Sequence, residues 1–257
     1  MIYKNKYFIE NPKATIIIAH GIAEHSGRYD YLAKRFNKEG YDVITYDHIG
    51  HGKSGGKRGK LKSFHQMIDI LHEIVLKEKE RTNKKIFLLG HSMGGEIVNL
   101  YEAKYGDIDG IISSSAATNT LKEVRIFKYI GFSLLRWIKI STKRFDKFLA
   151  KDPAVLEKNK KDPLMLDHMY ISLLGEMLVK GVNYLHKNIN NFKNPILYIH
   201  GTKDGIVDYK FSQYMYDNIP TKDKEIILYD GEYHEMLNDY NKELIINDIL
   251  KWLENHL

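Results

Sequence analysis

The ten residues 86–95 read IFLLGHSMGG and carry the strongest chemical signal in the chain. The first four form a short apolar run of the kind found in strands that are buried on both faces. Gly90-His91-Ser92-Met93-Gly94 then satisfies the pattern G-x-S-x-G, and a helical pattern opens directly behind it. A serine between a strand and a helix sits in a strained turn, where main-chain N–H groups favour developing negative charge. The stretch therefore predicts that Ser92 is a nucleophile.

Similar apolar runs alternate with helical patterns along most of the chain. The runs are residues 15–19, 43–46, 110–112, 196–199 and 226–229, and the helical patterns are residues 29–36, 67–74, 97–101 and 244–253. This alternation predicts an α/β fold with a mostly parallel sheet flanked by helices. With an edge strand at residues 7–9, we expect about seven strands.

The alternation stops between Ile112 and Pro195, where no strand pattern is found. Residues 118–193 instead carry helical stretches, and an excursion of that length indicates an inserted helical subdomain, or cap. We therefore expect one domain, residues 1–257, with the cap at residues 118–193 inserted within it.

The first cap helix is predicted over residues 121–140 as an amphipathic and basic helix. Gly131 marks a position where this helix kinks or breaks, since an interior glycine costs about 1 kcal/mol relative to alanine. A basic amphipathic helix that carries Trp137 fits a helix packed on the main domain, and it also fits one that lies on lipid or admits acyl chains. Both readings stay open.

A nucleophilic serine needs a base, and the base needs a group that orients it. In an α/β sheet of this kind the acid and the histidine follow the serine in that order, each after a later strand. Asp204 follows the run at residues 196–199, and His234 follows the run at residues 226–229. Both therefore fall at the sheet edge where ligands collect. Asp208 competes for the role of the acid, but it stands where the next helix should begin and is better explained as its N-cap.

The first apolar run ends in His20-Gly21-Ile22, a second candidate element of the same site. The main-chain N–H groups of Ile22 and Met93 are the candidate donors of an oxyanion hole. Glu24, His25, His48 and His51 raise the alternative of a metal site. Their spacing matches no metal-ligand pattern, and H-E-x-x-H is absent, so we expect no metal.

Residues 47–56, DHIGHGKSGG, imitate two nucleotide-binding motifs. A triphosphate loop needs glycine at position 47, which is Asp47. A dinucleotide fingerprint needs a helix to start at Gly55, and the glycine-rich sequence that follows does not favour one. The stretch is instead expected to form a structural loop in which Asp47 and His48 are hydrogen-bonded.

Composition adds limits on location and partners. The 257 residues carry 39 basic and 33 acidic side chains, a net charge of +6 with both signs mixed along the chain, so nucleic-acid binding is not supported. Cysteine is absent, which excludes disulfides and thiolate metal sites. No apolar leader and no membrane-length apolar stretch are present. We expect a soluble, cytoplasmic protein, with peripheral membrane contact left open.

Taken together, residues 20–29, 47–56, 90–95 and 201–204 and the segment around His234 resemble the monoacylglycerol lipase and lysophospholipase branch of the serine α/β-hydrolases. The resemblance implies a helical lid over an acyl-binding tunnel, hydrolysis of carboxylic esters of glycerol-type lipids, a small-molecule lipid ester as partner and no cofactor. It also implies a triad of Ser92, Asp204 and His234, with Ile22 and Met93 as oxyanion donors.

Three alternatives remain open at this point. The same scaffold suits another serine hydrolase, such as a thioesterase, a feruloyl-type esterase or an aminopeptidase. It also suits an acyltransferase that delivers the acyl group to an alcohol. A non-catalytic binding module is the third alternative, and the ordered candidate triad argues against it.

Overall fold

A computed structural model describes residues 1–121, 124–127, 131–143 and 148–257. Its main element is a seven-stranded sheet with the order β1-β3-β2-β4-β5-β8-β9, in which β1 is antiparallel and the other pairings are parallel. The strands are β1 Lys4–Tyr7, β2 Ala14–Ala19, β3 Asp42–Tyr46, β4 Lys85–His91, β5 Gly110–Ser114, β8 Ile196–Gly201 and β9 Lys224–Tyr229. The predicted α/β fold and its seven strands are confirmed.

Helices cover both faces of this sheet, and further helices lie in the segment between β5 and β8. They are α1 Asp30–Lys38, α2 His65–Arg81, α3 Met93–Lys104, α4 Pro153–Lys161, α5 Ile171–Gly175, α6 Val182–Lys187, α7 Lys210–Asn218 and α8 Lys242–Asn255. A π-helical turn, Glu176–Gly181, joins α5 to α6. Among the described residues, no helix is long and apolar enough to cross a membrane.

The core consists of two hydrophobic clusters that divide alternate residues of each strand between them. Ile17 belongs to the cluster that includes residues of α2 and α3, whereas Ile16 and Ile18 belong to the cluster that includes residues of α1 and α8. Because both faces are covered, the inner strands are apolar along their whole length rather than at every second residue. This layering leaves the carboxyl ends of β2, β4, β8 and β9 at one edge of the sheet.

The edge strand differs slightly from its expected position. It was predicted at residues 7–9, but β1 runs from Lys4 to Tyr7 and pairs with β3. The pairing ends there because the main-chain N–H of Ile9 donates to the side chain of Asp42, at 2.9 Å, instead of to a strand carbonyl.

Two predictions about residues 118–193 are wrong. A strand pair occurs where none was expected: β6, Lys139–Ser141, pairs antiparallel with β7, His168–Tyr170. The helix expected over residues 121–140, with a kink or break at Gly131, does not continue as an α-helix beyond that residue, whose φ is +70°. A left-handed residue ends an α-helix, and a 3-10 turn, Ser133–Leu135, follows. Residues 122–123 and 128–130 of that predicted helix lie outside the described residues.

The apolar spacing misled the helix prediction because it does not mark a buried face. Leu134 is 95% exposed and Trp137 is 64% exposed, so these side chains are not held against the core. Two Asp-Pro sequences, Asp152-Pro153 and Asp162-Pro163, lie at the two ends of α4. Asp152 accepts a hydrogen bond from the N–H of Ala154 and caps α4, and Asp162 follows its last residue.

Candidate active site

Ser92 lies in a tight turn between β4 and α3. Its φ of 57° is unusual for a residue with a side chain, and such strain is typical of functional turns. The flanking glycines make the turn feasible. A Cβ at Gly90 would lie 2.1 Å from the carbonyl oxygen of Gly94, and one at Gly94 would lie 2.0 Å from that of Ala19. The G-x-S-x-G spacing is therefore a steric requirement of this strand–turn–helix.

The structure brings the three predicted side chains together in the predicted order. His234 Nε2 lies 2.9 Å from the hydroxyl of Ser92. His234 Nδ1 lies 2.6 Å from Oδ2 of Asp204 on its other side. His234 sits on the loop after β9 and Asp204 on the loop after β8, so neighbouring strands deliver both groups to Ser92. A serine, a base and a carboxylate in hydrogen-bonded sequence form an arrangement suited to nucleophilic attack.

The carboxylate of Asp204 is held by four hydrogen-bond partners. The N–H groups of Ile206 and Val207 donate to Oδ1 at 2.8 and 2.9 Å, while His234 and His200 contact Oδ2. Burial alone would raise the pKa of Asp204, but the charge of His234 and the hydrogen bonds from His200 and His234 hold it well below its usual range. Asp204 is thus fixed as an anion.

His200 is a member of this group that the sequence reasoning missed. Its Nε2 lies 3.1 Å from Asp204 and its Nδ1 lies 2.8 Å from the hydroxyl of Ser212 on α7. The signal available in the sequence was its place as the penultimate residue of β8, four residues before Asp204. Asp208, the competing acid, does not contact His234 and accepts a hydrogen bond from the N–H of Lys210 at the start of α7.

The environment of His234 suits a general base. Burial lowers the pKa of this imidazole, but the negative charge and hydrogen bond of Asp204 outweigh it, and Glu235 and Glu24 add smaller contributions. The net effect is a pKa raised above its ordinary value. A raised pKa stabilises the imidazolium that forms when the base takes a proton.

The two candidate oxyanion donors border the same cavity as Ser92. Met93 is the first residue of α3, so its N–H has no acceptor within that helix. Ile22 lies in the turn after β2, where the N–H of Gly21 donates to Glu24 at 2.8 Å. A Cβ on Gly21 would lie 3.2 Å from Cβ of Ser92, so this turn packs directly on the nucleophile.

A buried arginine joins the oxyanion turn to the histidine loop, which the sequence reasoning did not anticipate. Arg28 donates to Glu24 at 2.7 Å and to Glu235 at 2.8 Å. These contacts outweigh burial and raise the pKa of Arg28. Because Glu24 also holds Gly21 and Glu235 follows His234, the cation ties together the two loops on either side of Ser92.

The loop at residues 47–56 supports the turn after β2 through hydrogen bonds. Asp47 accepts hydrogen bonds from the N–H groups of Ser26 and Lys53, both at 2.7 Å. The N–H of His48 donates to His20 Nε2 at 3.0 Å, and its own Nε2 lies 2.8 Å from the carbonyl oxygen of His20. Burial lowers the pKa of His48 to about 3, so the ring stays neutral.

The residues considered for a metal site point to different partners. His25 contacts Asp162, at 2.8 Å, and His48 contacts His20. Across the described part of the chain, no group of three or more histidine, aspartate or glutamate side chains could hold a metal ion.

Ser92 and His234 open into a cavity of about 510 Å³. That size lies within the usual range for small-molecule sites. One part of its lining is apolar and buried and comes from α3 and the segment between β5 and β8, namely Met93, Ala117, Met169, Leu174 and Leu178. The rest of the lining mixes apolar side chains with polar and charged ones. The cavity can therefore hold an apolar chain next to the nucleophile.

Comparison with known proteins adds a family. A family model described as "Serine aminopeptidase, S33" matches residues 10–241. The chain is 30% identical over 254 residues to the monoacylglycerol lipase of Mycolicibacterium smegmatis, covering 96% of this chain and 90% of that protein. It is 28% identical to a phospholipase of Bacillus subtilis, covering 91% and 92%. The crystal structure of a monoacylglycerol lipase from Paleococcus ferrophilus superposes with a TM-score of 0.89, at 30% identity and full coverage of both chains.

Proposed function

Because the chain belongs to the "Serine aminopeptidase, S33" family of α/β-hydrolases, we propose that it hydrolyses carboxylic esters of glycerol-type lipids. Its substrates would be monoacylglycerols or lysophospholipids. The observation that carries the proposal is the contact of Ser92 with His234, 2.9 Å apart, beside a buried apolar cavity. The names of the relatives, monoacylglycerol lipases and a phospholipase, support the same substrate class.

The proposed reaction assigns a role to each group. His234 takes the proton of Ser92 as the hydroxyl oxygen attacks the ester carbonyl, and Asp204 orients the imidazole and stabilises its charged form. The N–H groups of Ile22 and Met93 hold the oxyanion. His234 then protonates the departing alcohol, and water, activated by the same imidazole, releases the fatty acid from the acyl-enzyme. No cofactor takes part in these steps.

We further propose that residues 118–193 form a cap inserted in a single domain, residues 1–257. The segment lies between β5 and β8, which are neighbours in the sheet, so the sheet is complete without it. It contributes Met169, Leu174 and Leu178 to the apolar lining of the cavity. A lid that supplies the acyl-binding wall explains this arrangement.

The exposed apolar residues of the cap support a peripheral contact with a membrane. Leu134 and Trp137 are exposed, and the ammonium group of Lys60 lies 3.3 Å from the centre of the Trp137 ring. Tryptophan and lysine together suit the interface between lipid headgroups and water. We propose that the protein acts in the cytoplasm and touches lipid through this surface.

The decisive test of the proposed chemistry is the Ser92→Ala variant. It should lose both hydrolysis of a monoacylglycerol and covalent labelling by a fluorophosphonate, because the attacking oxygen is gone. Ser133→Ala, at an exposed serine, is the matched control and should keep both. Labelling that survives in Ser92→Ala would place the nucleophile elsewhere and overturn the proposal.

The description of the family favours a second candidate, release of amino acids from small peptides. An aminopeptidase needs a free carboxylate for the α-amino group of its substrate. Glu24 and Glu235 line the cavity, but both already pair with Arg28, and Asp167, which has no ion pair among the described residues, is exposed, which favours the lipid ester. A panel of monoacylglycerols, lysophospholipids, short esters, thioesters and aminoacyl amides, with an acceptor alcohol added in parallel, separates all of these activities.

A further inference from the structure

The lining of the cavity changes character between its buried part and its opening. Buried apolar side chains surround one part, whereas the exposed lining residues are polar or charged. Lys143, Lys160 and Asp167 are the exposed charged residues among them, and Asn159 lies beside Lys160 on α4. An ester held at Ser92 with its acyl chain in the apolar part directs its headgroup toward this polar opening.

Most carboxylates of the cavity already have partners in the protein. Glu24 and Glu235 share the guanidinium of Arg28. Asp162 accepts a hydrogen bond from the N–H of Leu164 and contacts His25, 2.8 Å away. All three carboxylates therefore already have hydrogen-bond donors within the protein.

Lys143 and Lys160, in contrast, have no ion-pair partner among the described residues. Within the described parts of the chain, neither Lys143 nor Lys160 has a carboxylate within 4.0 Å, so each ammonium group is uncompensated at the opening. Asp167 is likewise without an ion pair there, which leaves two positive charges against one negative charge. Among the exposed charged residues that the structure describes at the opening, positive charge is in excess.

Asn159 adds a hydrogen-bond donor without an acceptor. Its Nδ2 is buried and has no hydrogen-bond partner among the described residues. Buried amide donors are almost always paired, so an unpaired one that lines a cavity indicates an acceptor supplied by a ligand. The Nδ2 group of Asn159 and the ammonium groups of Lys143 and Lys160 together offer three donor groups.

From these groups we propose that the opening binds the phosphate of a headgroup, and that the preferred substrate is a lysophospholipid rather than a neutral monoacylglycerol. A phosphate supplies negative charge and several acceptor oxygens, which match two ammonium groups and one amide donor. The glycerol of a monoacylglycerol supplies no charge and leaves both lysines uncompensated. This inference rests on the proposed function and names the substrate class of the same site.

A matched pair of substrates tests the proposal. 1-Monoacylglycerol and 1-acylglycerol-3-phosphate with the same short acyl chain differ only in the phosphate, and both are supplied below the concentration at which they form micelles. The measurement is the ratio of their kcat/KM values, from released fatty acid. We expect a ratio above one that falls as salt is added, because screening weakens exposed charges.

Variants identify the residues responsible. Lys143→Met combined with Lys160→Met should lower the ratio roughly tenfold, and Asn159→Ala should lower it by a smaller factor. Asp167→Asn removes the opposing charge and should raise the ratio. Lys161→Met is the matched control on the same helix, since Lys161 pairs with Glu157 and does not line the cavity, and it should leave both kcat/KM values unchanged.

The outcomes separate this inference from the proposed function. A ratio at or below one, or a ratio that the double lysine variant does not change, overturns the phosphate site even if Ser92-dependent hydrolysis of the monoacylglycerol persists. If the unmodified protein shows neither hydrolysis nor fluorophosphonate labelling, the proposed function itself is overturned.

Discussion

The loop after β8 and the first turn of α3 each bury a carboxyl group. Asp204, in the loop, is ionised, whereas Glu96, in the helix, is neutral. The side chains of Asp204 and Glu96 are both fully buried. Asp204 has four hydrogen-bond partners, whereas neither oxygen of Glu96 has one among the described residues. The pKa of Asp204 is lowered, while burial raises that of Glu96 well above its usual value.

The difference shows that local donors, not burial, decide the charge of a buried carboxyl group. The loop at Asp204 offers main-chain N–H groups and two imidazoles. Glu96 receives no hydrogen bond among the described residues, and it faces the π-helical turn, where a Cβ on Gly181 would lie 2.6 Å from Oε1. Glycine at position 181 leaves room for the neutral carboxyl group of Glu96.

Breaking the charged member of the pair should have the largest effect. Asp204→Asn keeps the shape of the side chain but removes the charge that orients and stabilises His234, so kcat should fall about 10,000-fold. The measurement is ester hydrolysis, with circular dichroism to verify the fold. Asp208→Asn is the control, because the carboxylate of Asp208 accepts a hydrogen bond from Lys210 at the start of α7, and its kcat should stay near that of the unmodified protein. A comparable loss in both variants would remove Asp204 from the proposed triad.

Replacing Glu96, the neutral member, should have a smaller effect, and it should raise the stability of the protein rather than lower its activity. Glu96→Met exchanges a desolvated, unpartnered carboxyl group for an apolar side chain of similar size, and the free energy of unfolding at neutral pH should rise by about 1–3 kcal/mol. Denaturant titrations measure this change. Activity should persist, because Glu96 contacts none of the reacting groups.

The pH dependence separates ionisation from simple packing. A carboxyl group whose pKa is higher in the folded chain than in the unfolded chain contributes its full stability below the unfolded value, and loses it as pH rises toward the folded value. The difference in the free energy of unfolding between Glu96→Met and the unmodified protein should therefore grow above about pH 4.3, the unfolded pKa of glutamate. An advantage that does not vary with pH would mean that packing alone explains it.

The contrast also explains how far sequence reasoning reaches. The sheet could be predicted because parallel strands covered on both faces read as continuous apolar runs, as in residues 86–89. Ser92, Asp204 and His234 could be nominated because chain order fixes which strand ends meet at one edge. Their assigned roles remain predictions, although the structure brings the three side chains into hydrogen-bonding distance.

Groups whose roles depend on long-range partners could not be predicted from the sequence. Arg28 gains its role from Glu235, which is 207 residues away, and no spacing pattern announces that contact. The helix predicted across Gly131 failed for a related reason. Apolar spacing indicates a buried face only where a partner surface exists, and Leu134 has none that covers it. Local patterns predicted the elements, whereas tertiary partners decided their chemistry.

The smallest expected effect sharpens the comparison at His234, which reports the charges around it. Because its pKa is raised, its neutral form is lost as pH falls, and the acid limb of kcat/KM should lie above the ordinary imidazole value of about 6.5. Glu235→Gln removes one contributing charge while Arg28 keeps Glu24, so this limb should move to lower pH by roughly 0.5 unit. Glu225→Gln, an exposed change at the other end of β9, should not move it. A limb that stays in place in Glu235→Gln would remove Glu235 from the sources of the raised pKa, and a shift to higher pH would contradict the electrostatic explanation altogether.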